Sequence, residues 1–221
     1  MSAGPRIPAT DAYLVAETLA ELLRLRSPRV LIGGSLRRGK PTVADIEIIA
    51  LCAFEKRDAP GQRSLFDPPS TIDANLTCEH IDALVLASEP GPAADWAPPG
   101  QPGCHLSLQR GEKWGDRYRQ LRVDWYERPT SGLGWPLVLD CFLVHDPGQW
   151  GWLSLLRTGS GDFNRVFLEH LRMAGVTADG GWLWKDGHRL VTPEETDVFE
   201  AARRPFVEPK NREVLGPGAR P

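Results

Sequence analysis

One stretch constrains this chain more than any other. Between Gly33 and Glu47 the sequence GGSLRRGKPTVADIE links two short apolar runs, RVLIGG over 29–34 and DIEIIAL over 45–51. The first reads as a buried strand running into glycine. The second alternates, with Asp45, Glu47 and Ile49 on one side and Ile46 and Ile48 on the other. Residues i and i+2 of a strand point the same way, their Cα atoms about 6.5–7 Å apart, so Asp45 and Glu47 are predicted to converge on one or two divalent cations. Hard oxygen donors suit Mg²⁺ or Mn²⁺. Gly34 lets backbone approach a phosphate closely, Ser35 offers a hydroxyl and an N–H, and Arg37 or Arg38 offers a positive fork for phosphate oxygens. The physical logic of that order is phosphoryl transfer to an incoming hydroxyl, with two metals about 3.5–4 Å apart activating the attacking oxygen and stabilising the leaving one. Each piece alone also reads as ordinary structure, a glycine turn or a solvated strand face. The order and spacing together select the chemical reading.

The rest of the chain is read as mixed helix and strand, an α+β fold. Residues 10–26 carry Leu14, Ala16, Leu19, Leu22 and Leu23 at helical spacing, with Thr10 or Asp11 as a cap and Arg24 and Arg26 at the negative end of the dipole. Residues 52–70 read as loop and 72–87 as helix. The segment 88–103 has five prolines and three glycines and is a connector. Residues 105–127 read as strands turning at Gly111, and GLGWPLVLDCFLV ends in an apolar strand holding Asp140. From 147 the pattern is helical again, through PGQWGWLSLLR and DFNRVFLEHLRMAG. GGWLWKDGHRL is a hairpin turning at Asp186-Gly187. Thr192 and Glu195 form a predicted capping box, with Pro193 at the first helical position. The expected domains are 1–147, 148–213 and a disordered tail, 214–221.

Composition narrows the class. At 221 residues, with 41% hydrophobic and 25% charged residues, the chain has material for a real core. No run of 18 uncharged apolar residues is present, and the start lacks an apolar leader, so neither a membrane span nor a signal peptide is expected. Four cysteines without a CxxC pair fit a cytoplasmic protein with reduced thiols. The net charge of −3 excludes an all-over basic nucleic-acid binder. It is uneven, with a net +4 over residues 1–43 and −7 over 44–106, which suggests a local anion site near the start. The five histidines lack metal spacing and read as structural or surface residues. Most of the eight tryptophans read as core, though Trp182 and Trp184 share one strand face.

The glycine–acid segment resembles the nucleotidyltransferase superfamily, and within it the family X DNA polymerases of the polymerase beta type. That family has Gly-Ser, one residue, Arg-Arg-Gly, five residues, then Asp-x-Asp. Here Gly34-Ser35-Leu36-Arg37-Arg38-Gly39 is followed after five residues by Asp45-Ile46-Glu47. VLDCFLV places Asp140 in the setting of the family's third metal acid. Thr158-Gly159-Ser160 with Asn164 then matches its Thr-Gly-Ser and Asn, and Glu208-Pro209-Lys210-Asn211-Arg212-Glu213 its closing motif. The likeness covers about 10–50 and 137–213. It implies a nucleotidyltransferase palm followed by a small thumb domain that closes over a nucleoside triphosphate. It implies Asp45, Glu47 and Asp140 as metal ligands and catalytic acids for two Mg²⁺ or Mn²⁺ ions. Gly34, Ser35 and Arg38 would hold the triphosphate, leaving Arg37 for a structural ion pair, and Thr158, Gly159 and Asn164 would lie along sugar and base. The second acid is Glu rather than Asp, and the family's aromatic pair before Thr-Gly-Ser is Leu156-Arg157. With 33 residues before Gly34, neither the family's lyase domain nor its helix-hairpin-helix is expected.

Three functions follow. The leading one is a minimal polymerase adding nucleotides to the 3′-hydroxyl of a primer or gapped DNA. The second is a nucleotidyltransferase for a small-molecule, protein or RNA acceptor, favoured by the pI near 6.0 and Asp-x-Glu. The third is a non-catalytic module that binds DNA ends, which the intact acid set opposes.

Overall fold

The computed structural model describes residues 6–59, 71–88, 105–126 and 137–213. Strand β1 (Ile7–Pro8) leads into helix α1 (Ala9–Arg24). Ala12, Val15, Ala16, Leu19, Ala20 and Leu23 recur every three or four residues and form its buried face. The cap is not the one expected. Pro8 takes the N-cap without a side-chain bond, and the Ala9 N–H donates to the Pro41 carbonyl at 2.9 Å. That bond is available because β1 pairs with β3 (Thr42–Val43) just beyond Pro41.

After α1 come β2 (Val30–Ile32), the short helix α2 (Gly34–Arg37), β3 and β4 (Ile46–Leu51). The expected 52–70 loop contains a strand, β5 (Phe54–Asp58), and residues 60–70 lie outside the described part. The helix expected from 72 starts only at Leu76. Before it, β6 (Thr71–Asn75) pairs antiparallel with β5, and the Asn75 side chain caps α3 (Leu76–Ala87) by accepting the Cys78 N–H at 3.0 Å. An exposed hairpin with few apolar residues carries little hydrophobic period, and this one gave no strand signal. Of the 88–103 connector, all but Ser88 lies outside the described residues.

Strands β7 (His105–Trp114), β8 (Tyr118–Tyr126) and β9 (Leu137–Val144) complete a five-stranded mixed sheet ordered β2-β4-β9-β8-β7. Only β4 and β9 are parallel neighbours. Gly111 is not the turn that was expected. It sits inside β7, where the register slips between Arg110 and Trp114, and the chain reverses at 115–117. A Cβ on Gly111 would fall 2.7 Å from the Gln120 carbonyl, so glycine is needed for strand approach.

The two sheet faces differ in kind. Ile46, Ile48, Leu139, Cys141, Leu121 and Val123 point to one face and pack with α1 and α3 residues in one buried cluster. The alternate positions, Glu47, Asp140, Phe142, Tyr118 and Gln120, share the opposite face.

Beyond β9 the chain forms α4 (Trp150–Leu156), α5 (Gly161–Met173), the antiparallel trio β10 (Val176–Asp179), β11 (Trp182–Lys185) and β12 (His188–Leu190), and α6 (Glu195–Ala201). These elements bury a second cluster, including Leu155, Phe163, Phe167, Leu171, Leu183 and Phe199. Asp186 and Gly187 turn β11 into β12 with φ of 49° and 76°, as expected of a primed hairpin turn. The α6 capping box lies two residues later than expected. Glu194 and Asp197 form it, while Thr192 is buried and hydrogen-bonds the Gly148 carbonyl. Ile49, Leu51, Val144 and Trp150 form a small third cluster where the second group of elements meets β4 and β9. The 214–221 tail lies outside the described residues. Among the described residues no helix is long and apolar enough to cross a membrane.

Candidate active site

The acids come together through strand register. Glu47 on β4 and Asp140 on β9 are direct partners across the parallel pair. Adjacent strands lie about 4.8 Å apart, so the two side chains leave the same face as neighbours. Asp45 immediately precedes β4. The electrostatics register the crowding. Burial, then the Asp45 charge, push the Glu47 carboxyl up to about 7, and Asp140 adds to this while Arg157 and Arg38 oppose it. Asp45 is also raised, first by desolvation and then by Asp140. Asp45 itself is exposed. The three donors are all carboxylate oxygens, a set that fits Mg²⁺ or Mn²⁺, and like charges raised in this way are relieved by a cation. Among the described residues no three acidic, histidine or cysteine side chains form a ready-made metal cage as they stand. The Glu47 carboxylate leans back on the glycine turn.

That turn has little freedom in its residues. Gly34 has φ +61°, and a Cβ there would lie 2.2 Å from Glu47 Oε2. Its N–H donates to the Arg157 carbonyl at 2.7 Å, and the Gly33 N–H to the Glu47 carbonyl at 2.8 Å. The turn is thus stitched both to the acid strand and to the end of α4. Ser35 is half-buried in α2, one residue beyond.

The two arginines diverge. Arg37 makes a bidentate pair with Glu195 of α6, at 2.7 and 2.9 Å, and also donates to Thr158 Oγ1 at 2.8 Å. Arg212, fully buried, grips the same Glu195 at 2.8 and 3.1 Å. Burial acts to raise the Glu195 carboxyl, but the bonds from Arg212 and Arg37 outweigh it and hold the group below its usual range. Arg38 turns the other way. Its Nε donates to Glu213 Oε1 at 2.6 Å and its Nη1 to the Thr158 carbonyl at 2.6 Å, while Lys40 Nζ lies 3.0 Å from Glu213 Oε2.

Thr158 is fully buried, so its hydroxyl serves Arg37 and its carbonyl Arg38, leaving neither for a ligand without rearrangement. Gly159 packs against Asn164, where a Cβ would lie 2.3 Å from Oδ1. Asn164 Nδ2 donates to the Leu156 carbonyl at 2.8 Å, and its buried Oδ1 has no partner among the described residues.

Four further residues join the site. Tyr118 Oη donates to Asp140 Oδ1 at 2.5 Å, and Gln120 Nε2 donates to the same oxygen at 3.2 Å. Desolvation, then the bond to Asp140, hold the Tyr118 phenol well above its usual range. Arg157 lies over the Phe142 ring, 3.9 Å from its centroid, with its charge felt at Glu47. Arg6 donates to Thr42 Oγ1 at 3.0 Å and to the Thr42 carbonyl at 2.6 Å, and its charge is felt at Asp45. The alternation of Tyr118 and Gln120 in YRQLRVD was visible, but pairing that strand with the Asp140 strand needs a register no single sequence supplies. No family model matches this chain, and no curated protein is detectably similar to it.

Proposed function

We propose that this chain is a nucleotidyltransferase of the polymerase beta type, which adds nucleotides from nucleoside triphosphates to the 3′-hydroxyl of a DNA primer or gapped DNA in the cytoplasm. The observation that carries the reading is the direct pairing of Glu47 with Asp140, with Asp45 one residue before β4 and an arginine-bearing glycine turn beside them. Asp45, Glu47 and Asp140 would hold two Mg²⁺ or Mn²⁺ ions, which supply charge neutralisation at the phosphates and a more acidic acceptor hydroxyl. Gly34 backbone, Ser35 and Arg38 take the triphosphate, and Arg38 exchanges the Glu213 carboxylate for phosphate oxygens as it does so. Arg37 stays in its ion pair and fixes the turn. Gly159 and Asn164 lie along sugar and base, and Asp140 accepts the acceptor proton. Arg6, in reach of Asp45, adds positive charge at the same end.

Primer extension with labelled dNTPs and Mn²⁺, with and without template, tests this against its rivals. Extension that depends on Asp140 supports it. Label on a small molecule, protein or RNA, with an inert DNA primer, transfers the assignment to that acceptor. DNA-end binding with no transfer to any acceptor supports the non-catalytic alternative.

A further inference from the structure

Asp140 already carries a hydroxyl. The Tyr118 phenol sits on Oδ1 at 2.5 Å, and Gln120 Nε2 backs the pair, 3.2 Å from Oδ1 and 3.4 Å from the phenolic oxygen. Register produces this contact. Gln120 lies opposite Asp140 and Tyr118 opposite Phe142, so the phenol shares the same face and leans two residues along the strand to reach the acid. Its ring rests tilted on Phe142, with centroids 5.2 Å apart. Tyr118 is half-buried, so solvent and solutes reach it.

In nucleotidyl transfer the acceptor O–H must lie within hydrogen-bond reach of the group that takes its proton. Here a side chain of the protein occupies that position on Asp140. We infer that Tyr118 is a resident acceptor: with a nucleoside triphosphate and a divalent cation present and no external hydroxyl in the site, the chain transfers a nucleotidyl group to its own Tyr118. The inference rests on the nucleotidyl-transfer reading above. The step balances without further reactants. The phenolic oxygen bonds to the α-phosphorus, the bond from that phosphorus to the bridging oxygen breaks, and pyrophosphate leaves with the electron pair. The phenolic proton passes to Asp140. The product is a phosphodiester between Tyr118 Oη and the nucleoside 5′-phosphate. An external acceptor that takes the same oxygen, Oδ1, displaces the phenol from Asp140, so it competes with self-modification and protects Tyr118.

The test uses the whole chain with Mn²⁺ and ATP labelled at either the α- or the γ-phosphorus, without primer, read on a denaturing gel. Tandem mass spectrometry of the unlabelled reaction locates the adduct. Primer extension by the same preparation runs in parallel. The inference expects covalent label from α- but not γ-labelled ATP, an AMP adduct on the peptide holding Tyr118, progressive loss of label as primer is added, and no label in Tyr118→Phe. Mapping on the wild-type chain keeps the inference testable if that variant does not fold. Active primer extension without self-label, or an adduct on another residue, overturns the inference alone. Failure of both label and extension removes the nucleotidyl-transfer reading and this inference with it.

Discussion

Arg37 and Glu195 meet in a bidentate ion pair across 158 residues of sequence, joining the glycine turn to the first turn of α6. Because Arg212 closes on the same carboxylate from the C-terminal segment, one acid organises three distant parts of the chain. Buried charges of this kind are stable only while all partners are present.

Replacing Glu195 by Gln therefore leaves Arg212 buried and poorly paired, and should lower stability by about 3–5 kcal/mol, the usual effect of breaking a buried pair from one side. Urea unfolding of wild type and variant measures this. The depressed Glu195 carboxyl adds a pH signature. Its contribution is present above the ordinary carboxyl range and is lost as pH falls through the lower folded value, so the variant should lose less stability than wild type on acidification.

The paired arginines should separate cleanly. Arg38→Ala should raise the nucleotide KM and lower kcat, a loss of about 2–4 kcal/mol in kcat/KM for a charge-assisted contact. Arg37→Ala should lose stability first, with nucleotide affinity falling only as far as the turn is disturbed. Nucleotide affinity that falls in Arg37→Ala but not in Arg38→Ala would reverse the two roles.

Glu47 predicts an unusual pH slope for the metal-free protein. Its folded carboxyl stands at about 7 against an ordinary 4.5, so the folded state binds more protons between those values. Stability in EDTA should fall as pH rises from about 4.5 to 7, and Glu47→Gln should flatten that slope. Mg²⁺ should recover more stability at pH 8 than at pH 5, because it binds the ionised acids. Thermal melts across that range, with and without Mg²⁺, decide the point.

Sugar selection should be weak. Leu156-Arg157 replaces the aromatic pair of the resembled family, and Arg157 lies over the Phe142 ring. Discrimination between dATP and ATP should stay within about one or two orders of magnitude, roughly 1.4–2.8 kcal/mol. A dATP preference above about ten-thousand-fold in kcat/KM shows a wall that is rigid whatever its side chains.

The segments with strong alternation were legible from sequence: β4 with its Ile46/Ile48 core face, the Asp140 strand, α1 and α5. The β5–β6 hairpin was not, because its exposed residues carry little hydrophobic period. The turn at 115–117 was misplaced to Gly111 because a glycine that permits strand approach looks the same in sequence as one that permits a turn. At the candidate site, the motif order singled out the acids that β4 and β9 bring together and the two arginines of the glycine turn. Tyr118, Gln120 and Arg6 were missed because each joins the site through register or through a contact between distant segments, and Arg157, singled out for its place before Thr158, was not expected to lie over Phe142 or to act on Glu47.

The role of Asp140 in nucleotidyl transfer is tested by single-turnover primer extension with Asp140→Asn, a substitution that keeps the side-chain shape and removes the charge. Transfer should fall by at least about a thousandfold, with the fold retained by circular dichroism. Turnover within about threefold of wild type would contradict that role, because proton removal and metal binding would then have no need of this carboxylate.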